Sequence, residues 1–427
     1  MTPVFPDDLV LVPVSRSPTV LADDTVNRVL ATPLERTVPA FRPDPGIAPR
    51  ASIVVVTHNA LVFTRLCLES LLAAPSTAHD EVIVVDNAST DGSGAYLTAL
   101  AARDGRVRVE SLDRNRGFAA ATNCGVALSR GDVLVLLNND TIVPGDSLER
   151  LIAHLSDPQI GVAGAVTNRA GNEAEIDASY RTSGDLDRFA DRHGRSHRGE
   201  SFDIRTATMF CVALRRSVWD GVGPLDERFE VGLFEDDDYS MRVRQAGYRV
   251  VCAEDAFVHH FGQASIGQLA ATGDFGALFH ANRARWEAKW GGAWQPYARR
   301  EKPAYQALVT RIRDLVCEAV PPQTTLAVIS KGDADLVRFE GRRAWHFPQG
   351  ADEAYAGHYP ADSAACIAEL ERQRAQGASV LVIPATASWW LDHYGDFRGY
   401  LESRYRAMLV TDDCRLFDLQ WAGHAER

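Results

Sequence analysis

Ala51-Ser52-Ile53-Val54-Val55-Val56-Thr57 decides the fold. Ile53 to Val56 is an unbroken apolar, β-branched run with no polar alternation. A run of that kind predicts a strand covered on both faces, as in a parallel sheet. Outward from it, Leu61 to Ala73 has helical spacing, Glu81-Val-Ile-Val-Val-Asp86 repeats the buried-strand pattern, and Gly92 to Arg103 is helical again. Val107–Ser111 predicts a short third strand, Phe118–Ser129 a helix, and Asp132–Leu137 a fourth strand. Strand and helix alternating at this spacing predict an α/β unit with a mostly parallel sheet and right-handed crossovers.

The chain has 427 residues, 46% of them apolar and 24% charged, the profile of a globular protein with room for two or three cores. Lys plus Arg number 45 against 57 Asp plus Glu, a net charge of −12. That balance argues against nonspecific nucleic-acid binding and gives no general attraction to anionic lipid. The N-terminus does not read as a signal peptide, and no apolar run approaches the ~18 residues that span a bilayer. Seven scattered cysteines without C-x-x-C spacing predict buried thiols in a reducing, cytoplasmic setting.

Residues 1–48 read as an extended, Pro-rich lead-in with one short helix near Asp24–Leu30. Residues 49–300 form the main domain. Within it, Val162–Val166 is apolar, and Thr167 to Arg205 is polar with a helix near Leu186–His193, which predicts a binding loop or lid. Residues 301–323 read as a helical linker ending in Pro-Pro. From 324 to 427 the alternation restarts as a small α/β domain. Its Trp345, His346, His358, Trp389, Trp390, His393 and Tyr394 read first as core packing and second as a sugar-stacking or docking face.

Polar groups stand at the strand ends, where open α/β sheets hold ligands. Thr57-His58-Asn59 ends the first strand and Asp86-Asn87-Ala88-Ser89-Thr90-Asp91-Gly92 the second. Capping and turn formation account for Ser89 and Asp91 but not for Asp86. No Gly-x-Gly-x-x-Gly follows either strand, which disfavours a dinucleotide fold. Asp113-Arg114-Asn115-Arg116-Gly117-Phe118 precedes the third helix and is either a cap or a reader of diphosphate or base. Leu136-Leu-Asn138-Asn139-Asp140-Thr141 ends the fourth strand in a carboxylate, a place suited to a hard divalent ion. Asn138 and Asp140 lie on one side of an extended chain. Later come Gly232-Leu-Phe-Glu235-Asp236-Asp237-Asp238-Tyr239, the acidic first turn of an amphipathic helix, and Val258-His259-His260-Phe261-Gly262.

Together these six motifs, in this order from about Ala51 to Trp290, resemble family 2 glycosyltransferases of the GT-A fold, of the inverting, soluble, non-processive type. The resemblance implies a nucleotide-sugar-binding mixed, mostly parallel sheet followed by the small C-terminal α/β domain. It implies that Thr57, Asn59 and Asp86 hold base and ribose, with Arg114 or Asn115 adding to that pocket. It places Asn138-Asn139-Asp140 at the family's Asp-x-Asp position, with Asn in place of the first acid, so Asp140 is the main anionic ligand of Mg2+ or Mn2+. Of the histidine pair, His260 is preferred over His259 as a second metal ligand. Asp236 matches the general base. Glu235 and Asp238 raise its proton affinity, Glu235 or Asp238 binds acceptor hydroxyls, and Asp237 is the member that is only solvated. Asn282-Arg283-Ala284-Arg285-Trp286 is similar to the Gln-x-x-Arg-Trp of processive synthases, with Arg283 and Trp286 read as structural.

The expected activity is transfer from a UDP-, GDP- or dTDP-sugar to a glycan or polyprenyl-linked acceptor, in the cytoplasm or peripherally at the inner face of the membrane. Two rivals remain. One is a GT-A protein that has lost transfer and acts as a glycan-binding or scaffolding module. The other is a nucleotidyltransferase, which needs a Gly-rich basic loop after the first strand that Thr57-His58-Asn59-Ala60 does not supply.

Overall fold

The computed structural model describes residues 5–11, 21, 23–44, 46–178, 180–262, 274–300, 303–350, 354–356, 360 and 362–420. They divide into two compact units, one running to Arg300 and one from Glu301. The first unit carries β1 (Ala51–Thr57), β2 (Glu81–Asp86), β3 (Val107–Ser111), β4 (Val133–Asn138), β5 (Thr141–Ile142), β6 (Ile160–Val166), β7 (Ser201–Asp203), β8 (Cys211–Arg215), β9 (Arg249–Phe257) and β10 (His259–His260). Eight of them form one sheet in the order β3-β2-β1-β4-β8-β6-β9-β7, while β5 and β10 pair as a separate ribbon. Pairs β1–β2, β2–β3, β1–β4 and β6–β9 are parallel. Strand β8 runs antiparallel between β4 and β6, and β7 is an antiparallel edge. The sheet is the expected mixed, mostly parallel one.

The sheet's pleat explains the uninterrupted apolar run. Ile53 and Val55 enter one core with Val135 and Leu137, whereas Val54 enters the opposite core with Leu134 and Leu136. Both faces are buried, so neither alternate position is polar. The helix Phe118–Leu128 comes so close to this sheet that a Cβ on Gly125 would stand 2.4 Å from Val54 Cγ1 and 3.1 Å from Val85 Cγ2. Gly125→Ala is therefore expected to destabilise the protein by about 1–3 kcal/mol through overpacking. The check is the urea unfolding midpoint at unchanged slope, and an unshifted midpoint contradicts this packing.

The lead-in is not merely extended. Leu9 and Leu11 are buried in the first unit's core, Leu11 N–H donates to the Arg181 carbonyl at 2.8 Å, and Ser183 N–H donates to the Leu9 carbonyl at 2.9 Å. The expected short helix spans Asp23–Ala31. Thr167–Arg205, expected as a lid, contributes Ile176, Leu186 and Ile204 to that core, a helix over Ser183–Ser196 and the edge strand β7.

The second unit has β11 (Thr325–Val328), β12 (Arg343–His346), β13 (Val380–Pro384), β14 (Arg406–Val410) and β15 (Cys414–Asp418) in the order β12-β11-β13-β15-β14. The helix Pro303–Ala319 sends Val309, Ile312 and Val316, all fully buried, into a core with Leu326, Val328, Val380 and Val382. The segment expected as a linker is thus an integral layer of this unit. Trp345, Trp389, Trp390 and Tyr394 are buried in its other core, as the packing interpretation requires, and His358 lies outside the described residues. Among the described residues no helix is long and apolar enough to cross a membrane.

Candidate active site

Register brings the predicted polar residues to one edge. Thr57 pairs with Asp86, Asp86 with Ser111, and Val56 with Asn138. The Thr57 hydroxyl is fully buried and 2.8 Å from that of Thr64, and Asn139 Nδ2 donates to both, at 3.2 and 3.0 Å. Thr57 and Asn139 therefore fasten the end of β1 to the end of β4. Asn59, at φ 58°, accepts from Thr90 N–H at 2.8 Å and joins the loops after β1 and β2. Asp86 is buried and accepts from Ser89 N–H at 2.9 Å. A Cβ on Gly94 would stand 3.3 Å from Asp86 Oδ2, so a glycine keeps that oxygen approachable.

The loop before Phe118 is clamped by Asn87, to which the sequence assigned no role. Asn87 Nδ2 donates to Asn115 Oδ1 at 2.9 Å, and Asn87 Oδ1 accepts from Arg116 N–H at 2.8 Å. Asn115 also accepts from Gly117 N–H at 2.9 Å, so its oxygen shapes the loop. Arg114 is exposed on the same loop.

The β5–β10 ribbon sets His260 opposite Thr141 and so beside Asp140. His260 Nε2 stands 3.4 Å from Asp140 Oδ1. The other ring nitrogen, Nδ1, is 2.9 Å from the Arg169 carbonyl. A carbonyl can only accept, so Nδ1 carries a proton, and Nε2 is the ring nitrogen turned toward Asp140. Asn168 holds the His260 backbone from both sides, accepting from its N–H at 2.8 Å and donating to its carbonyl at 3.1 Å. Phe210 stacks on the imidazole with centroids 5.0 Å apart. His259 points the opposite way: it is fully buried, Nδ1 is 2.6 Å from the Tyr180 hydroxyl, and burial pushes its pKa down to about 3. A carboxylate and an imidazole side by side at this strand end are a donor pair of the kind that would hold a divalent ion. A second cluster, His193, His197 and Glu254, comes together elsewhere, but Glu254 is already paired with Arg300 at 2.9 Å.

The four acids open the helix Glu235–Gln245. Consecutive helical residues are rotated by ~100°, so they cannot share one face. Asp238 is fully buried and bound by Arg242 at 2.9 Å, Lys289 at 2.6 Å and Trp290 Nε1 at 3.0 Å. Asp237, expected to be solvated, is also buried, accepting from the Thr206 hydroxyl at 2.9 Å and from the Tyr297 hydroxyl. Both expectations are corrected by these partners: Asp238 is committed to cations inside the protein instead of an acceptor, and Asp237 is a structural tie. Glu235 and Asp236 are the two of these acids whose carboxylates accept from neither a cation nor a side-chain hydroxyl among the described residues. Glu235 Oε2 is buried without a hydrogen bond, and burial pushes its carboxyl up to about 7. Asp236 is half-buried and is held well above the carboxylate range, first by burial and then by the charges of Asp237 and Glu235. Asp238, neutralised by its cations, is not among the causes of that shift.

The backbone before these acids is strained. Glu230, Leu233 and Phe234 have φ of 54°, 74° and 73°. Asn282, from the helix Asp274–Trp290, secures the turn by donating to the carbonyls of Phe229, Gly232 and Leu233 at 2.9, 2.8 and 3.2 Å. Its neighbours Arg283 and Trp286 were the residues singled out from the sequence; Arg283 pairs with Glu287 at 2.9 Å, as a structural residue would.

Comparison with known proteins gives the family. Residues 52–222 match the family Glycosyl transferase family 2. The O-antigen biosynthesis protein RfbC of Myxococcus xanthus is 27% identical over 237 residues, 50% of this chain and 17% of that protein. The succinoglycan biosynthesis protein ExoO of Rhizobium meliloti is 37% identical over 116 residues, 27% of this chain and 32% of that protein. The chain thus spans a third or less of the length of these two relatives. Among solved structures, the mannosyltransferase PcManGT of Pyrobaculum calidifontis, in complex with GDP-Man and Mn2+, is 19% identical with a TM-score of 0.42, covering 61% of this chain and 70% of that one. Residues 52–222, which carry the strand-end motifs of β1, β2 and β4, form a glycosyl transferase family 2 domain.

Proposed function

We propose that the chain is an inverting glycosyltransferase that moves a sugar from a nucleotide diphosphate to a hydroxyl of a glycan or lipid-linked glycan acceptor. The observation that carries this reading is the division of labour in the acidic turn. Asp237 and Asp238 are committed to partners, whereas half-buried Asp236 keeps a carboxylate of raised proton affinity. In-line displacement needs such a group to accept the acceptor's hydroxyl proton as the new glycosidic bond forms and the diphosphate departs. Glu235, buried beside it, orients acceptor hydroxyls. Asp86, Asn59 and Arg114 line the nucleotide end, with Thr57, Asn115, Asn138 and Asn139 shaping the strand ends around it.

Asp140 and His260 would hold a divalent ion, which when bound neutralises charge on the diphosphate. A neutral imidazole beside a single carboxylate suits Mn2+ better than Mg2+, which prefers oxygen ligands throughout. Asn138 in place of an acid lowers the site's charge and is what favours the rival reading, a glycan-binding module without transfer. A thermal-stabilisation screen of UDP-, GDP- and dTDP-sugars with and without Mn2+ tests the donor; no stabilisation by any of them in the presence of metal speaks against the enzyme. His260→Ala is expected to raise the Mn2+ concentration needed for half-maximal transfer about 10–100-fold. A metal titration superimposable on wild type removes His260 from the site.

A further inference from the structure

The second unit has a ligand edge of its own. Strand β11 lies between β12 and β13 and is parallel to both, Val328 pairing with His346 on one side and Val382 on the other. The chain leaves β11 for one neighbour and returns on the opposite side as the other, which makes the carboxyl end of β11 a topological switch point. Ser330-Lys331-Gly332 stands there.

Lys331 bears two costs at once. Its φ of 54° is in the left-handed region, unfavourable for a side chain. Its ammonium donates to the Thr386 carbonyl at 2.5 Å and lies 5.6 Å from the Trp389 ring centroid, and no carboxylate among the described residues forms an ion pair with it. Burial alone lowers its pKa, to about 8. A desolvated cation without a counter-ion destabilises a fold unless something anionic completes it. Around it, Ser330 Oγ is 2.6 Å from His346 Nδ1, and a Cβ on Gly332 would stand 3.0 Å from the Tyr355 ring. The acid nearest in sequence, Asp333, is spent on the Tyr305 hydroxyl and on Asp335 N–H at 2.8 Å, though its charge also acts on His346.

We propose that the carboxyl edge of β11 and β13 is a second ligand site, in which Lys331, with His346 behind it, receives a tetrahedral oxyanion of the phosphate or sulfate ester class. The site lies wholly within the second unit and does not depend on the transferase reading of the first. Two free N–H donors remain on the ammonium after the bond to Thr386, enough for a charge-assisted contact to such a group.

The test uses the full chain in metal-free buffer, with hydrogen exchange read by mass spectrometry at matched ionic strength in chloride, inorganic phosphate or inorganic sulfate. Phosphate or sulfate is expected to protect segments 328–334 and 384–389, whichever protects more naming the ester. Lys331→Met is expected to weaken that protection at least about tenfold in apparent Kd. It should also leave thermal stability in chloride unchanged or higher, since it removes a half-buried charge that has no ion pair among the described residues while keeping the stem. Lys331→Arg is expected to retain protection. Protection by neither anion, or equal protection in wild type and Lys331→Met, overturns the proposal. So does a loss of stability in Lys331→Met without loss of anion protection, which would make Lys331 a structural cap of the Thr386 carbonyl.

Discussion

Asp236→Asn is expected to lower transfer by about 10²–10⁴-fold while leaving nucleotide-sugar binding intact. The two effects separate because the acid and the nucleotide edge are built from different elements. The nucleotide edge is the register of β1, β2 and β4, fixed by Thr57, Thr64 and Asn139. The acid sits on the helix Glu235–Gln245, and the only hydrogen bond its oxygens accept within the described residues is from Asp237 N–H at 2.9 Å. Asparagine keeps that bond and the side-chain volume and loses only the capacity to take a proton. The pH dependence carries the same signature. A carboxyl whose pKa is raised is protonated below that pKa and acts as a base only above it, so kcat/KM should rise with pH well above the ordinary carboxylate range. Burial comes first among the causes and the charges of Asp237 and Glu235 next, so that limb reports the acidic turn as a group. Transfer by Asp236→Asn within a few-fold of wild type, or a rate that is flat from pH 5 to 8 as roughly unperturbed carboxylates dictate, rules Asp236 out as the base.

What the sequence disclosed and what it hid divide along the range of the interactions. Strands β1, β2 and β4 were legible because burial on both faces leaves an unbroken β-branched signature. Strand β12 was not, because Arg343-Ala-Trp-His346 is only four residues long and buries only Trp345. The linker reading of 301–323 failed for a related reason: a helix with one apolar side looks alike whether that side meets its own unit or nothing. In the site, residues positioned by neighbours in sequence, such as Asp140 just past the end of β4, stand where the sequence puts them. The roles of those with distant partners were not legible. Asp237 looked solvated, yet its partners Thr206 and Tyr297 are 31 and 60 residues away. Asn87 had no assigned role, and its amide reaches across to Asn115 and Arg116.

Asn282→Leu is expected to destabilise the first unit by about 2–4 kcal/mol, the cost of removing the buried side-chain donor that three carbonyls of the turn share, and to cut transfer by at least ~10²-fold. The turn it holds is intrinsically unfavourable. Three non-glycine residues with positive φ, Glu230, Leu233 and Phe234, stand within five positions, and each such conformation costs ~1 kcal/mol or more unless the surroundings impose it. Asn282, fully buried, imposes it with one side-chain amide bonded to the carbonyls of Phe229, Gly232 and Leu233. The second restraint is backbone: a Cβ on Gly117 would lie 1.9 Å from the Glu230 carbonyl oxygen, and Phe118 N–H donates to the Val231 carbonyl at 3.3 Å. Leucine matches asparagine in size and cannot donate, so the turn loses the side of its frame that faces the helix Asp274–Trp290. Phe234 precedes Glu235 directly, and a shift of its backbone carries Glu235 and Asp236 with it. Displacement of the base by ~1 Å is enough for the predicted loss of rate. The consequence is a kcat lowered more than nucleotide affinity, because β1, β2 and β4 keep their register and the loop before Phe118, though it touches this turn, keeps its bonds to Asn87. A purely global loss of stability would instead restore kcat on cooling below the melting range. Asn282→Leu that melts early but turns over normally when folded would show that the strained turn holds its shape without Asn282, and that the acids are positioned by their own helix alone.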